Sequence, residues 1–254
     1  MDNSIPISQD DLPKPDYGID APQIVKRFFI SGALAIALGA VLLVVFRESN
    51  PGVSHYGGAA GFITGIMYLG SAGLMLWGSR YHKLRMRDKL LLKLDLHGDE
   101  KVLDIGCGQG LLTVPIAAEL IDGMVTGIDF IQNGFKPEES FKNLLKNAQY
   151  EGAESKIVLK SVDPRQLPFP SDSFDVIVSG WALHTIYDEA GRKHAVKEII
   201  RVLKPGGILA ILDNHNTDEY EDMCHDADLH EIHQTRGGFM RIIPTRLLTA
   251  KKPL

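Results

Sequence analysis

Two long apolar stretches dominate the first third of the chain. Residues 28–46 and 59–77 each run nineteen positions without a charge. At about 1.5 Å rise per residue, each helix would just cross a hydrocarbon core of ~30 Å. Neither stretch has the polar face of a buried amphipathic helix, so the pattern predicts a transmembrane helical hairpin. The first run is too long and starts too far from Met1 to read as a cleaved signal peptide. Beyond residue 97 the pattern changes to short apolar segments alternating with helically spaced ones. Residues 101–105, 124–128, 157–160, 174–178 and 208–212 read as strands, and 111–121 and 192–203 as helices. This alternation predicts an α/β domain whose parallel sheet carries helices on both faces.

Four segments follow: a disordered tail (1–25), the hairpin (26–79), a basic juxtamembrane helix (80–96) and the α/β domain (97–254). The tail holds Pro6, Pro13, Pro15 and Pro22 with five aspartates and little periodicity. Lys26 and Arg27 precede the first span, and Arg80, Lys83, Arg85, Arg87, Lys89 and Lys93 follow the second. The loop between them holds only Arg47, offset by Glu48. The positive-inside rule then places both termini and the α/β domain in the cytoplasm, as expected of a multi-pass membrane protein. Leucines interleave with the cations of residues 80–94, so this segment is expected to lie near an anionic membrane surface and to pack on the sheet. Small residues recur at Ser31, Ala35 and Gly39 and at Gly57, Gly61 and Gly65, a stripe that suits close helix packing within the hairpin and also allows a homodimer.

Composition narrows the function. A formal charge of −5 offers no broad basic face for nucleic acid, and two cysteines give neither a disulfide framework nor a zinc pattern. His215, His225, His230 and His233 with nearby aspartates match no recognised ligand spacing, so no metal is expected. The most informative chemistry lies at residues 102–113, Val-Leu-Asp-Ile-Gly-Cys-Gly-Gln-Gly-Leu-Leu-Thr. There a strand runs into three alternating glycines, which let the backbone turn tightly and let a ligand approach the amides of the helix start. Asp129 ends the next strand about 20 residues on, where a ribose-binding carboxylate belongs in such a fold. Asp163 with Leu167-Pro168-Phe169, the strand at Phe174-Asp175-Val176, and Arg201-Val202-Leu203-Lys204-Pro205-Gly206-Gly207 complete the series, the last read as a tight turn.

These five ordered elements resemble the class I S-adenosylmethionine-dependent methyltransferases, in particular their small-molecule and quinone-biosynthesis branch. The resemblance covers roughly residues 90–252 and implies a Rossmann-like sheet with S-adenosyl-L-methionine as cofactor. It also implies roles: Asp104 holds the methionine end, and Gly106, Cys107, Gly108 and Gly110 form the floor. Asp129 binds the ribose hydroxyls, Phe130 packs on the adenine, and Asp163, with Pro164, meets its amino group. Ser179, at the end of the fourth strand, joins the cofactor-binding set. Gly-x-Gly-x-Gly preceded by Asp104 favours the methyl donor over a nicotinamide, whose usual fingerprint is Gly-x-Gly-x-x-Gly.

Ligands of open parallel sheets bind outside the carboxyl ends of the strands, so residues 179–184 and 213–215 are expected to face the acceptor. No Asn-Pro-Pro-Tyr-like sequence follows the fourth strand, which removes the usual sign of a DNA or protein amide methylase, and the resemblance implies a small-molecule or lipid acceptor such as a quinone or prenylated phenol. His184 is the candidate general base, since an imidazole can accept a phenol or enol proton near neutral pH. The alternative reading is a noncatalytic cofactor-binding membrane protein that recruits a partner.

Overall fold

The computed structural model describes residues 14–130, 137–240 and 243–254, with side chains described outside 236–243. The sequence expectations for residues 1–13 and 131–136 lie outside the described residues. Two compact units are present: Ile19–Lys83 forms one, while residues 14–18, Leu84–Phe239 and Ile243–Leu254 form the other.

In the first unit, α1 (Pro22–Val45) and α2 (Gly58–Trp77) are long and apolar enough to cross a membrane. They pack through the small residues. A Cβ at Gly61 would stand 2.6 Å from the Gly39 Cα and 2.8 Å from the Ala35 carbonyl, and one at Gly65 would meet the Gly32 carbonyl at 2.8 Å. Ala35, Gly39, Gly61 and Gly65 of the stripe thus take part in close packing within the hairpin. Gly61→Leu is expected to separate the helices, read as loss of a disulfide crosslink engineered between α1 and α2. Polar groups tie the ends together: Ser54 Oγ donates to the Leu43 carbonyl (3.0 Å), and Lys83 Nζ and Ser79 Oγ both donate to the Asp20 carboxylate. The segment expected as a separate basic helix over 80–96 is helical at Lys83–Leu94 (α3), preceded by a π-helical turn at Gly78–His82.

The second unit is built on a seven-stranded sheet of order β3-β2-β1-β4-β5-β7-β6. Its strands are β1 (Lys101–Ile105), β2 (Met124–Asp129), β3 (Ile157–Ser161), β4 (Phe174–Gly180), β5 (Leu203–Asp213), β6 (His230–Met240) and β7 (Ile243–Lys251). β1 to β5 pair in parallel, whereas β7 runs antiparallel to β5, so the sheet is mixed where the alternation predicted a parallel one. Polar residues such as His233, Gln234, Thr245 and Arg246 interrupt the apolar signal of the last two strands. They are eleven and nine residues long.

Strand alternation sorts the core onto two faces. Leu103, Ile105, Ile177, Leu209 and Ile211 join the α6 and α7 side, with Val196, Ile199 and Tyr220. Val102, Val176, Val178, Ala210 and Leu212 join the other, with Met86, Leu90 and Leu94 of α3 and Ile116 of α4. Helix boundaries differ from the sequence reading for local reasons. α4 is Thr113–Glu119, shorter than 111–121, because Gly110 at φ +88 turns the chain first and Pro115 is tolerated only within the first turn. α6 is Glu189–Val202, opening earlier than 192 because Asp188 caps it, accepting from the Gly191 N–H at 2.5 Å. α5 (Pro137–Tyr150) and α7 (Thr217–Asp226) complete the set.

The residues read as a Lys204–Gly207 turn lie inside β5. Leu203 pairs with Phe174, the register then slips, and Gly206 at φ +76 donates its N–H to the Lys252 carbonyl at 2.9 Å. The C-terminal chain pairs with this stretch, so it is a bulge in the sheet.

Candidate active site

β1 lies where the strand order reverses, with β2 on one side and β4 on the other, and such a switch point opens a crevice at the carboxyl ends of the strands. Asp104, Asp129, Ser179 and Asp213 all come from these strand ends. Gly106, Gly108 and Gly110 adopt φ of +74°, +49° and +88°, a region costly for other residues. A Cβ at Gly106 would sit 2.1 Å from that of Ala182, so glycine is also required for space. The Gly106 and Cys107 N–H groups donate to the Ile128 carbonyl, fixing the loop against β2.

Two buried carboxylates face this loop. Asp104 is 1% exposed; Oδ2 accepts from Thr113 Oγ1 at 2.6 Å, while buried Oδ1 has no hydrogen-bond partner among the described residues. Burial, with the charge of Asp129 adding to it, pushes its pKa up to about 7. Asp129 accepts from the Phe130 N–H (2.9 Å) and the Gly108 N–H (3.2 Å), and burial raises its pKa as well. A buried acidic oxygen without a donor is costly unless a ligand supplies one. The donor that fits Asp104 is cationic, which suits the ammonium of a methionine group beside a glycine-lined backbone. Cys107 is buried and its thiol pKa is raised by that burial, so it belongs to the packing of the loop and not to nucleophilic chemistry.

The remaining cofactor-side residues are less uniform. Ser179 donates its hydroxyl to the Ile105 carbonyl at 3.0 Å, so its side chain holds β4 to β1. Phe130 is 9% exposed and packs into the larger apolar cluster with Leu167 and Phe174. Asp163 is half-exposed and clasped by Arg165, whose Nη2 lies 2.6 Å from Oδ2; that guanidinium lowers the carboxyl pKa. Pro164 beside it is buried. Asp163 thus sits in a different setting from the desolvated pair Asp104 and Asp129.

His184 lies in a short 3-10 turn, Leu183–Thr185, after β4. Its Nδ1 stands 2.7 Å from Oδ1 of Asp213, which is fully buried at the end of β5. The other Asp213 oxygen accepts from the His184 backbone N–H at 3.2 Å, and the Asn214 N–H donates to Oδ1 at 2.8 Å. The two groups stand at ion-pair distance without an aligned hydrogen bond, since the buried Nδ1 has no hydrogen-bond partner among the described residues. The exposed His215 ring lies 5.5 Å from that of His184, centroid to centroid. Sequence reasoning named His184 and placed 213–215 at the same edge but did not pair His184 with Asp213. The pairing of β4 with β5, Gly180 opposite Leu212, is what brings them together. No group of three metal-ligating side chains occurs among the described residues.

A segment assigned to the disordered tail also reaches this loop. Asn147 of α5 accepts from the Asp16 N–H (3.0 Å) and donates to both the Asp16 carbonyl (2.9 Å) and the Gln109 carbonyl (3.0 Å). Tyr17 packs on Cys107, Val114 and Leu144. Residues 14–22 are therefore built into the structure, a correction to the 1–25 tail, because the backbone of Asp16 finds a buried amide partner. Asn147→Ala would leave the Gln109 carbonyl and the Asp16 segment unpaired, and is expected to weaken S-adenosylmethionine binding by roughly fivefold to tenfold in calorimetric titration, the worth of one to two hydrogen bonds.

Fold and candidate site together resemble those of class I S-adenosylmethionine-dependent methyltransferases. Residues 103–211 match the family described as "Methyltransferase domain". The 27-O-demethylrifamycin SV methyltransferase of Amycolatopsis mediterranei is 32% identical, over 54% of this chain and 52% of the relative. A demethylmenaquinone methyltransferase of Lactobacillus johnsonii is 33% identical, over 50% and 49%. The chain thus spans about half the length of the curated relatives it matches. Among solved structures, the N-methyltransferase NodS of Bradyrhizobium japonicum, in complex with S-adenosyl-L-homocysteine, superposes with a TM-score of 0.58 at 18% identity, covering 70% of this chain and 91% of that one. The [4+2]-cyclase SpnF superposes at 0.56 and 19% identity, covering 67% and 82%. At such identities the likeness shows the fold alone, and the cyclase illustrates that this fold also carries other reactions. The matched domain family and the S-adenosyl-L-homocysteine-bound neighbour indicate S-adenosyl-L-methionine as the cofactor.

Proposed function

We propose that this chain is a membrane-anchored S-adenosylmethionine-dependent methyltransferase that modifies an acidic hydroxyl or enol carbon of a small, lipophilic acceptor. The observation that carries the reading is the buried Asp213 beneath His184, 2.7 Å from Nδ1, at the same strand edge as the glycine loop and Asp104. S-Adenosylmethionine, when bound, supplies a methyl group already activated on a sulfonium.

The chain's own residues do the rest. Asp104 accepts from the ammonium end, Asp129 from the ribose hydroxyls, and the glycine loop admits the ligand to its backbone. His184 Nε2 takes the acceptor proton, Asp213 fixes the imidazole tautomer and steadies the imidazolium that forms, and Trp181 and His215 line the approach. A base matters only for an acceptor that must lose a proton, which favours phenols, enols and reduced quinones over amines already carrying a free lone pair. The names of the relatives, a demethylmenaquinone and an O-demethylrifamycin methyltransferase, support that class.

Anchoring draws support from the surfaces of α1 and α2. Only 11% and 17% of their apolar windows are buried. Leu34, Leu38, Val44, Ile63, Ile66 and Met67 are each more than half exposed, which an aqueous setting would penalise and lipid would not. The cation distribution supports the cytoplasmic placement of both termini and of the domain. The test is incubation of membranes holding the protein, with cytosol added, with methyl-labelled S-adenosylmethionine, followed by partition between organic solvent and water. Label in the organic phase is expected. Label confined to water would move the acceptor to soluble metabolites, and cofactor binding without any transfer would favour the noncatalytic, partner-recruiting reading.

A further inference from the structure

The α3 helix has two unlike sides. Met86, Leu90 and Leu94 are at most 1% exposed and join the core of the sheet. Arg85, Lys89, Leu92 and Lys93 are exposed, and at about 100° per residue they fall within an arc of roughly 100° that adjoins the buried one, the two centred about 110° apart. The acid bordering this arc, Asp88, lies 2.8 Å from the Arg87 guanidinium and is partly neutralised by it. Among the described residues, Arg85, Lys89 and Lys93 have no carboxylate within ion-pair distance, and Leu92 between them is 84% exposed. The whole chain carries −5, so this arc is a local feature and not the reflection of a basic protein.

We propose that this face of α3 docks on the anionic headgroup surface of a bilayer. Three positive side chains supply long-range attraction to acidic lipids, and the exposed leucine gains from burial among the acyl-chain ends, the combination used by interfacial helices. In sequence the arc follows directly on the apolar stretch of α2, whose end is marked by the exposed aromatics Trp77 and Tyr81, residue types that collect at the membrane interface. The proposal rests on the anchored reading above. It adds a second, charge-dependent contact made by the methyltransferase unit itself, so that acidic lipid is a ligand of that unit and the lipid composition sets how firmly it is held at the surface.

The full chain carrying Leu92→Cys, labelled with a polarity-sensitive fluorophore, tests this in nanodiscs of phosphatidylcholine alone or phosphatidylcholine with phosphatidylglycerol. Cys107 and Cys224 are both buried, so the label goes to position 92. A blue-shifted emission is expected only in the phosphatidylglycerol discs, reversed by salt. It should be lost when Arg85→Glu, Lys89→Glu and Lys93→Glu are combined, a change worth roughly a hundredfold in surface occupancy at about fivefold per charge. Equal emission in both lipids, or a shift that survives the triple substitution, overturns the proposal. So does a shift that follows protein density in place of lipid charge, which would assign the face to a second copy of the chain. Failure of the chain to enter either disc overturns the anchored reading itself, and the proposal with it; unchanged cofactor binding by the triple variant shows that the fold is intact.

Discussion

His184→Ala is expected to lower the rate of methyl transfer by roughly 10²–10⁴-fold while leaving the affinity for S-adenosylmethionine unchanged, because the imidazole serves the acceptor and the carboxylates serve the cofactor. Asp213→Asn is the sharper probe. Asp213 is fully buried behind His184, so its proposed part is that of a positioning residue. An amide there keeps the volume, but where it turns its NH₂ toward Nδ1 it favours the tautomer whose proton sits on Nε2, which cannot act as a base. A fall in kcat with KM for the cofactor held constant is expected, and His184→Gln, which retains a side-chain donor toward Asp213 without a base, should be as impaired as alanine. If either His184 variant or Asp213→Asn transfers methyl at the normal rate, the acceptor needs no base and the assignment of His184 is wrong.

The second large effect concerns Asp104. Its pKa in the folded protein is about 7, against 3.8 for the free side chain, because burial disfavours the charged form. The folded state therefore holds its proton more tightly than the unfolded chain does. The stability of the cofactor-free protein is then fully present below about pH 4 as far as this group is concerned, and is progressively lost as pH rises to about 7. At about 1.4 kcal/mol per unit over three units, the loss is at most ~4 kcal/mol. Asp104→Asn keeps the contact with Thr113 and removes the charge. It should melt higher than wild type at pH 8 without ligand, yet bind S-adenosylmethionine about 10-fold to 150-fold more weakly, the worth of a hydrogen bond to a charged group. Thermal melts across pH 4 to 8, with and without cofactor, check both halves. A variant less stable at pH 8 that binds normally would remove Asp104 from the site.

The glycine-loop half of the candidate site was legible in the sequence because it is contiguous. Asp104 and the three glycines lie within seven residues, and Asp129 lies one strand further on, so local spacing carries their meaning. The acceptor half was only partly legible. His184 and Asp213 lie 29 positions apart and meet only because β4 and β5 are neighbours with Gly180 opposite Leu212. The order of parallel strands could have suggested that juxtaposition, whereas the side-chain contact could not be read from spacing. Asp16 and Tyr17 were hidden for another reason: a proline- and aspartate-rich stretch looks disordered when nothing reveals the partner, Asn147, that its backbone will find. In β6 and β7 the polar residues that form side-chain bridges, such as Gln234 to Glu221 at 2.8 Å and Arg246 to Gln234 at 2.8 Å, erased the apolar alternation by which strands are recognised.

The most direct test of the central claim is to follow the bound cofactor itself: membranes holding wild type, His184→Ala or Asp104→Asn are given S-adenosylmethionine with a deuterated methyl group, and S-adenosylhomocysteine and deuterium-bearing products are quantified by mass spectrometry. The account predicts equal amounts of homocysteine product and methylated acceptor with wild type, almost none with His184→Ala despite normal cofactor binding, and loss of both binding and turnover at subsaturating cofactor with Asp104→Asn. Tight binding of S-adenosylmethionine by wild type with no S-adenosylhomocysteine formed in the presence of membranes and cytosol would contradict it.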